Sequence, residues 1–368
     1  MRGGRGMRLV VIVAVAGVLA AAFPTSPSAA PAPSLSLREK VGQIVMFSVD
    51  GYRLAASEQR AIEANRFGAV TLFSSNYRDR TQLRHLTAQL QRVARQGNGA
   101  SIGAIVATDQ EGGIVKRFPD MPPYRSAPEM GRDGRRSFAL RQGRLTGKAL
   151  REAGVNVDLA PVADLDLPPE HVMRERSFGR NPRRVARLVA AFAHGLQRHR
   201  VAATIKHFPG FGGANVNSDD GRAFVYRSRW QLRHVDAVPF HAAIDGGARM
   251  VMLSHGMYVH DGGRQPASLS HYIATKRLRK GFSFTGVAVS DALNEVSWRF
   301  GGDLGKTCVA TVRAGVDLAL ITGGIDQARV CALAIRNAVR RGRVSRARLD
   351  QAVSRVLALK TWLGVYSP

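Results

Sequence analysis

Four short clusters in this 368-residue chain hold side chains able to move protons, attack an electrophilic carbon or grip hydroxyls. Asp109-Gln110-Glu111-Gly112-Gly113 places two carboxylates beside two glycines, and Lys206-His207-Phe208-Pro209-Gly210 places an ammonium beside an imidazole. Ser254-His255-Gly256 and Ser290-Asp291-Ala292 add a second imidazole and a third carboxylate. A carboxylate can serve as a nucleophile or as a general acid or base, and an imidazole or ammonium can move a proton or hold an oxygen. Any one such residue is more often a structural polar group than a catalyst. The set gains weight because each cluster directly follows a short apolar run.

Those runs cover residues 41–48, 69–73, 102–108, 155–160, 202–205, 250–253, 287–289 and 318–321. Amphipathic stretches at 81–95, 136–153, 182–199, 239–246, 303–314, 326–341 and 346–363 lie between and after them. Eight strands alternating with helices predict a parallel β/α architecture. No linker or repeat interrupts the chain after Ser34, so the expected fold is α/β, a single (β/α)8 TIM-type barrel over residues 34–368. No GxGxxG follows a strand, which leaves a dinucleotide-binding fold without its fingerprint. In such a barrel the C-terminal ends of the strands face the active site, so the four clusters, with 156–164 after the fourth run, converge on one rim.

Composition narrows the partners. Hydrophobic residues make up 45% and charged residues 22%, which excludes wholesale disorder. Lysine and arginine number 54 against 27 acids, a formal charge of +27. That charge fits an Arg/Ala/Gly-rich bias of composition first and attraction to polyanions second, with anionic wall polymers ahead of nucleic acid. The basic runs at 132–136, 180–187 and 336–348 carry no interleaved aromatics or zinc-finger spacing, so specific nucleic-acid binding is not expected. Arg2, Arg5 and Arg8 precede an uncharged apolar run from Leu9 to Phe23, then small residues and prolines. This order predicts a secretory signal peptide and spacer over 1–33, cut between Ser28 and Ala32. The run is shorter than the ~20 residues that span a bilayer. The expectation is therefore a secreted, extracellular monomer without a transmembrane anchor after cleavage, its charge +24 once those three arginines are gone. Cys308 and Cys331 fall in adjacent predicted helices, where either a bridge or two buried thiols fits.

The clusters, in their order, resemble glycoside hydrolase family 3, and within it the single-domain bacterial β-N-acetylglucosaminidases. The resemblance rests on LREKVGQIVMF (37–47), TDQEGGIVKRF (108–118), NVDLAPVADLDL (156–167), RSFGRNP (176–182), KHFPGFG (206–212) and VSDALNEV (289–296). It implies a hydrolase of β-linked N-acetylglucosamine in cell-wall or chitin fragments, working without metal or organic cofactor. It also implies that Asp291 is the nucleophile, and that Asp109, Arg117, Arg176, Lys206 and His207 bind the sugar.

One stretch departs from the family's pattern. After KHFPG the hexosaminidases carry histidine-glycine and then aspartate-serine-histidine, the last histidine being the general acid/base. Here Phe211 stands for the first histidine, Asn217 for the orienting aspartate and Asp219 for the acid/base histidine. That leaves three readings. Asp219 or Asp220 has taken over as acid/base; or the loop suits a leaving group that needs less protonation; or the chain is a catalytically impaired sugar-binding pseudoenzyme. Glu295, four residues after Asp291, is a further candidate carboxylate.

Overall fold

Each of the eight apolar runs contributes one strand: β1 Val45–Ser48, β2 Ala69–Leu72, β3 Ile105–Thr108, β4 Val157–Asp158, β5 Ala202–Phe208, β6 Met250–Leu253, β7 Val287–Ser290 and β8 Ala319–Ile321. A computed structural model describes residues 35–97, 102–263 and 265–367, with Met1 and Gly3. Apart from Met1 and Gly3, the expected signal peptide lies outside the described residues. The barrel belongs to one compact unit, Pro33–Pro368.

The strands form one parallel sheet in the order β7-β6-β5-β4-β3-β2-β1-β8. Its edges meet at the parallel bridge Val289–Leu318, which closes the expected (β/α)8 barrel. Register is set at the far side by Val45 opposite Ala319 and Phe47 opposite Ile321. Every residue of β1, β2, β3 and β6 is buried, as strands covered on both faces must be. That is why these runs read as continuous apolar stretches without alternation.

The first run is a correction. Strand was expected from residue 41, but Leu37–Gln43 is helix and β1 begins at Val45. Ser36 and Glu39 form a capping box that starts a helix there, and Val41, Gly42 and Gln43 are its buried face. The fifth strand runs longer than expected, to Phe208, and so takes Lys206 and His207 into the sheet itself. Local signals begin other helices too: Asn181 caps Pro182–Gln197, and Ser345 caps Arg346–Leu363.

Cys308 and Cys331 are bridged, with Cα atoms 5.6 Å apart, joining the helices Leu304–Ala314 and Gly324–Arg340. Closing a loop of this size stabilises a fold by about 3 kcal/mol in the chain-entropy account.

Beneath the N-terminal ends of β1 and β3, Lys360 is fully buried. Its Nζ donates to Gln43 Oε1 (2.5 Å) and to the Gly103 carbonyl (2.8 Å), and no carboxylate pairs with it among the described residues. Burial lowers its ammonium from the ordinary 10.5 to about 7. Between these values the unfolded chain keeps a proton that the folded chain has lost, so folding stability rises with pH. Below about pH 7 the buried charge imposes its full penalty, on the order of 5 kcal/mol. Urea unfolding of Lys360→Met from about pH 7 to about 10.5 should lack the rise that the wild type gains over that window. Equal slopes in the two proteins would contradict this account.

Candidate active site

The C-terminal strand ends surround a cavity of about 300 Å3. Asp109, Arg117, Arg176, Lys206, His207, Asp219 and Asp291 all line it, as does Glu295. Asp220 does not; it is exposed beyond the rim.

At one side of the cavity the charges are tightly matched. Lys206 Nζ meets Asp109 Oδ1 at 2.6 Å and Glu111 Oε1 at 2.7 Å. Arg176 grips both oxygens of Glu111, through Nε at 3.0 Å and Nη2 at 2.7 Å. Burial acts to raise the Glu111 carboxyl, but Lys206 and Arg176 outweigh it and bring it down to about 2. Burial likewise opposes the charge on Lys206, and Asp109 and Glu111 reverse the effect and raise its ammonium. Such two-pronged pairs fix geometry as well as charge. Arg117 stacks over the Phe73 ring at 5.2 Å, and its buried Nε has no hydrogen-bond partner among the described residues.

His207 is aimed by Asp164. Asp164 Oδ2 lies 2.6 Å from His207 Nδ1 and also accepts the His207 backbone N–H, while Oδ1 accepts from Phe211 N. The other ring nitrogen, Nε2, lies 3.5 Å from Arg176 Nη2. Phe211, standing where the family pattern has histidine, packs edge-on against the His207 ring.

Asp291 follows β7 directly, and its Oδ1 accepts the N–H of Ala292 at 2.9 Å. Burial acts to raise its carboxyl, yet the His255 and His207 imidazoles, that N–H and Lys206 together hold it below the usual range. His255 is itself buried, with Nε2 donating to the Ala292 carbonyl (2.8 Å) and Nδ1 beside Ser268 Oγ (2.8 Å). It therefore fixes the backbone turn on which Asp291 sits.

Asp219 reaches the same cavity from the loop after β5. The chain leaves the strand through Gly210, whose φ of 120° favours glycine, and then Gly212, where a Cβ would stand 1.9 Å from the Leu165 carbonyl oxygen. Farther on, Asn215 and Phe224 bond to each other twice and pinch the base of a turn that carries Asp219. Arg222 stacks on Trp298 at 4.4 Å, which clasps this turn to the segment Leu293–Phe300 behind Asp291. The Asp219 side chain is open to solvent on its outer side. On its inner side, desolvation and then the Asp291 charge raise its carboxyl, against the pull of His207, Arg176 and His255. Glu295 is raised too, by burial and by the Asp219 and Asp291 charges. Two carboxyls on one cavity, those of Asp291 and Asp219, are thus driven in opposite directions, one toward the ionised form and one toward the acid.

Sequence reasoning left Glu111, Asp164 and His255 out of the site. All three lie in clusters already recognised at strand ends, but their partners, Arg176, His207 and the Ala292 carbonyl, are distant in sequence. Asp158 is a fourth omission, its carboxyl raised well above the usual range by burial, with Asp109 and Glu111 adding to the effect. Among the described residues, no three His, Cys, Asp or Glu side chains are grouped to hold a metal ion, and no helix is long and apolar enough to cross a membrane.

A closed parallel barrel with carboxylates, arginines and imidazoles gathered over the C-terminal strand ends has the architecture of a barrel enzyme. The chain belongs to glycosyl hydrolase family 3, whose N terminal domain matches residues 36–359. It is 31% identical over 342 residues to a secreted glycosyl hydrolase of Arthroderma benhamiae, covering 91% of this chain and 96% of the relative. It is also 31% identical to a β-hexosaminidase of Nitrosospira multiformis, over 78% of this chain and 82% of that one. Among solved structures, a β-N-acetylglucosaminidase of Paenibacillus sp. superposes with a TM-score of 0.86 at 32% identity, over 90% of this chain and 63% of the longer one. A β-N-acetylhexosaminidase of Beutenbergia cavernae superposes with a TM-score of 0.78 at 28% identity, over 89% and 99%.

Proposed function

We propose that the protein is a retaining glycoside hydrolase acting on β-linked N-acetylglucosamine, with Asp291 as nucleophile and Asp219 as acid/base. The observation that carries this reading is the opposed pair: Asp291 held below the usual carboxylate range and Asp219 raised by desolvation and by the Asp291 charge, on one cavity. Carboxyls pushed apart in this way divide the roles of nucleophile and acid. An Asp291 oxygen attacks the anomeric carbon while the glycosidic C–O bond breaks, and the Asp219 proton passes to the departing oxygen. Asp219, now ionised, takes a proton from water as that water's oxygen attacks the same carbon. The ester to Asp291 breaks, the sugar leaves, and Asp219 is again protonated.

Asp109, Arg117, Arg176, Lys206 and His207 hold the sugar in this reading. The substrate assignment rests on the named activities of the β-hexosaminidase and β-N-acetylglucosaminidase relatives. Its test is hydrolysis of 4-nitrophenyl N-acetyl-β-glucosaminide against the matching β-glucoside, together with calorimetry of N-acetylglucosamine on the wild type, Arg176→Ala and Lys206→Ala. Preferred hydrolysis of the acetamido sugar is the expected result. Binding that both variants lose, without turnover by the wild type, would replace the enzyme reading with that of a sugar-binding pseudoenzyme.

Export and attachment to an anionic wall complete the proposal. They are supported by the first 33 residues, by the formal charge and by the designation of the Arthroderma benhamiae relative as secreted. Purified cell wall should retain the protein at low salt and release it as ionic strength rises, because such attraction is screened. Failure to bind at low salt would reduce the charge to a matter of composition.

A further inference from the structure

Behind β5, on the outside of the barrel, a second cleft of about 310 Å3 opens between the helix Val238–Asp245 and the segment Tyr272–Gly281. Arg233, Lys276 and Arg277 reach into it beside His241, Tyr272 and Phe282, and no carboxylate lines it. Arg277 is only 7% exposed and forms part of the wall. Its Nη1 donates to Asp261 Oδ2 at 2.6 Å, and that one carboxylate also receives the Tyr272 hydroxyl at 2.9 Å and faces Arg229 at 3.6 Å. Arg233 and Lys276 make no ion pair among the described residues. Asp245 acts on His241 from outside the lining. Positive charge in the cleft is therefore left unbalanced at Arg233 and Lys276, while the buried Arg277 shares its one carboxylate, Asp261, with Arg229.

The backbone marks the same place. Two π-helical segments occur among the described residues, Leu232–Asp236 and Tyr272–Gly281, and both supply side chains to this cleft. Such widened turns are uncommon and gather at functional sites. Stacked rings of His241 and Phe282, 3.9 Å apart and 10° from parallel, give the cleft a flat apolar flank. Arg277 and Phe282 also rest on Phe208, at 6.0 Å and 5.0 Å, directly after the Lys206 and His207 of the candidate active site.

We propose that this cleft binds a phosphate monoester of about sugar size. A planar guanidinium fork, a second arginine and a mobile ammonium suit the several oxygens and double charge of a phosphate, which carboxylate recognition would not need. The volume beyond one phosphate, with its aromatic flank, leaves room for the esterified group.

The test is calorimetric titration of the full chain with glucose 6-phosphate, inorganic phosphate and glucose at physiological salt. Saturable binding is expected for the ester, more weakly for phosphate alone. Arg233→Ala and Lys276→Ala, both exposed side chains, should each weaken the ester by ~10-fold or more, the loss of one charged hydrogen bond. Binding that both variants retain would place the ester elsewhere, the active-site cavity included, and overturn the proposal. So would the absence of saturable binding at millimolar ester, or equal affinity for phosphate and ester.

Discussion

Asp291→Asn is expected to lower kcat/KM by ~10,000-fold or more on every β-N-acetylglucosaminide, whatever its leaving group. An amide cannot form the glycosyl ester, and nothing else on the cavity is held ionised beside the Ala292 N–H in the position that Asp291 occupies. Its loss should be visible in a second way. The Asp291 charge is one cause of the raised Asp219 carboxyl, so the asparagine variant should titrate Asp219 at lower pH than the wild type. Azide added to Asp291→Ala should yield a glycosyl azide of inverted configuration, because the small anion attacks where the carboxylate would have been. Undiminished hydrolysis by the asparagine variant would remove Asp291 from the chemistry and the retaining mechanism with it.

The second large effect is selective. Asp219→Ala should lower kcat/KM by ~100–10,000-fold on substrates whose leaving group needs a proton and little on the 2,4-dinitrophenyl glycoside, which departs without one. On the latter kcat should fall, because breakdown of the Asp291 ester has lost its base. The pH profile gives the sign. Asp291 must be ionised and is held low, so the acid limb of kcat/KM lies below the usual carboxylate range. Asp219 must be protonated and is raised, so activity falls as pH rises through a value above that range. In Asp219→Ala the basic limb should vanish while the acid limb stays. Asp220→Ala, outside the cavity, should leave both limbs in place. A loss that is the same for good and poor leaving groups would show that Asp219 does not donate the proton.

Much of the fold was legible in the chain because burial on both faces writes strands as apolar runs, and barrel geometry assigns their ends to one rim. Lys206, His207 and Asp291 fall on that rim from the order of runs and clusters alone. The choice between Asp219 and Asp220 does not follow from that order, since neighbours in an irregular loop diverge according to how its base is pinched, here by Asn215 and Phe224. Nor does the service of Asp164 to His207 or of Glu111 to Arg176. Those pairings join residues 43 and 65 positions apart, and periodicity reports only on neighbours along an element. The start of the first helix was missed for the opposite reason. Its signal is the local Ser36–Glu39 cap, which an apolar run beginning at Val41 overshadowed.

The seam between β1 and β8 also dictates when the barrel can close. Ser48 Oγ bonds to the Thr322 carbonyl across 274 residues, and the last helix docks on the beginning of the fold through Lys40–Asp350 and Lys360–Gln43. At ~5–20 residues per second a ribosome takes roughly 15–55 s to traverse that span. Throughout this interval β1 shows an unpaired edge with no native partner yet in existence. A nascent chain of this kind needs protection from its own sheet edges. For the export proposed above the delay is also an advantage, because a cylinder that lacks its last stave can still be drawn through a narrow translocation pore as a thread.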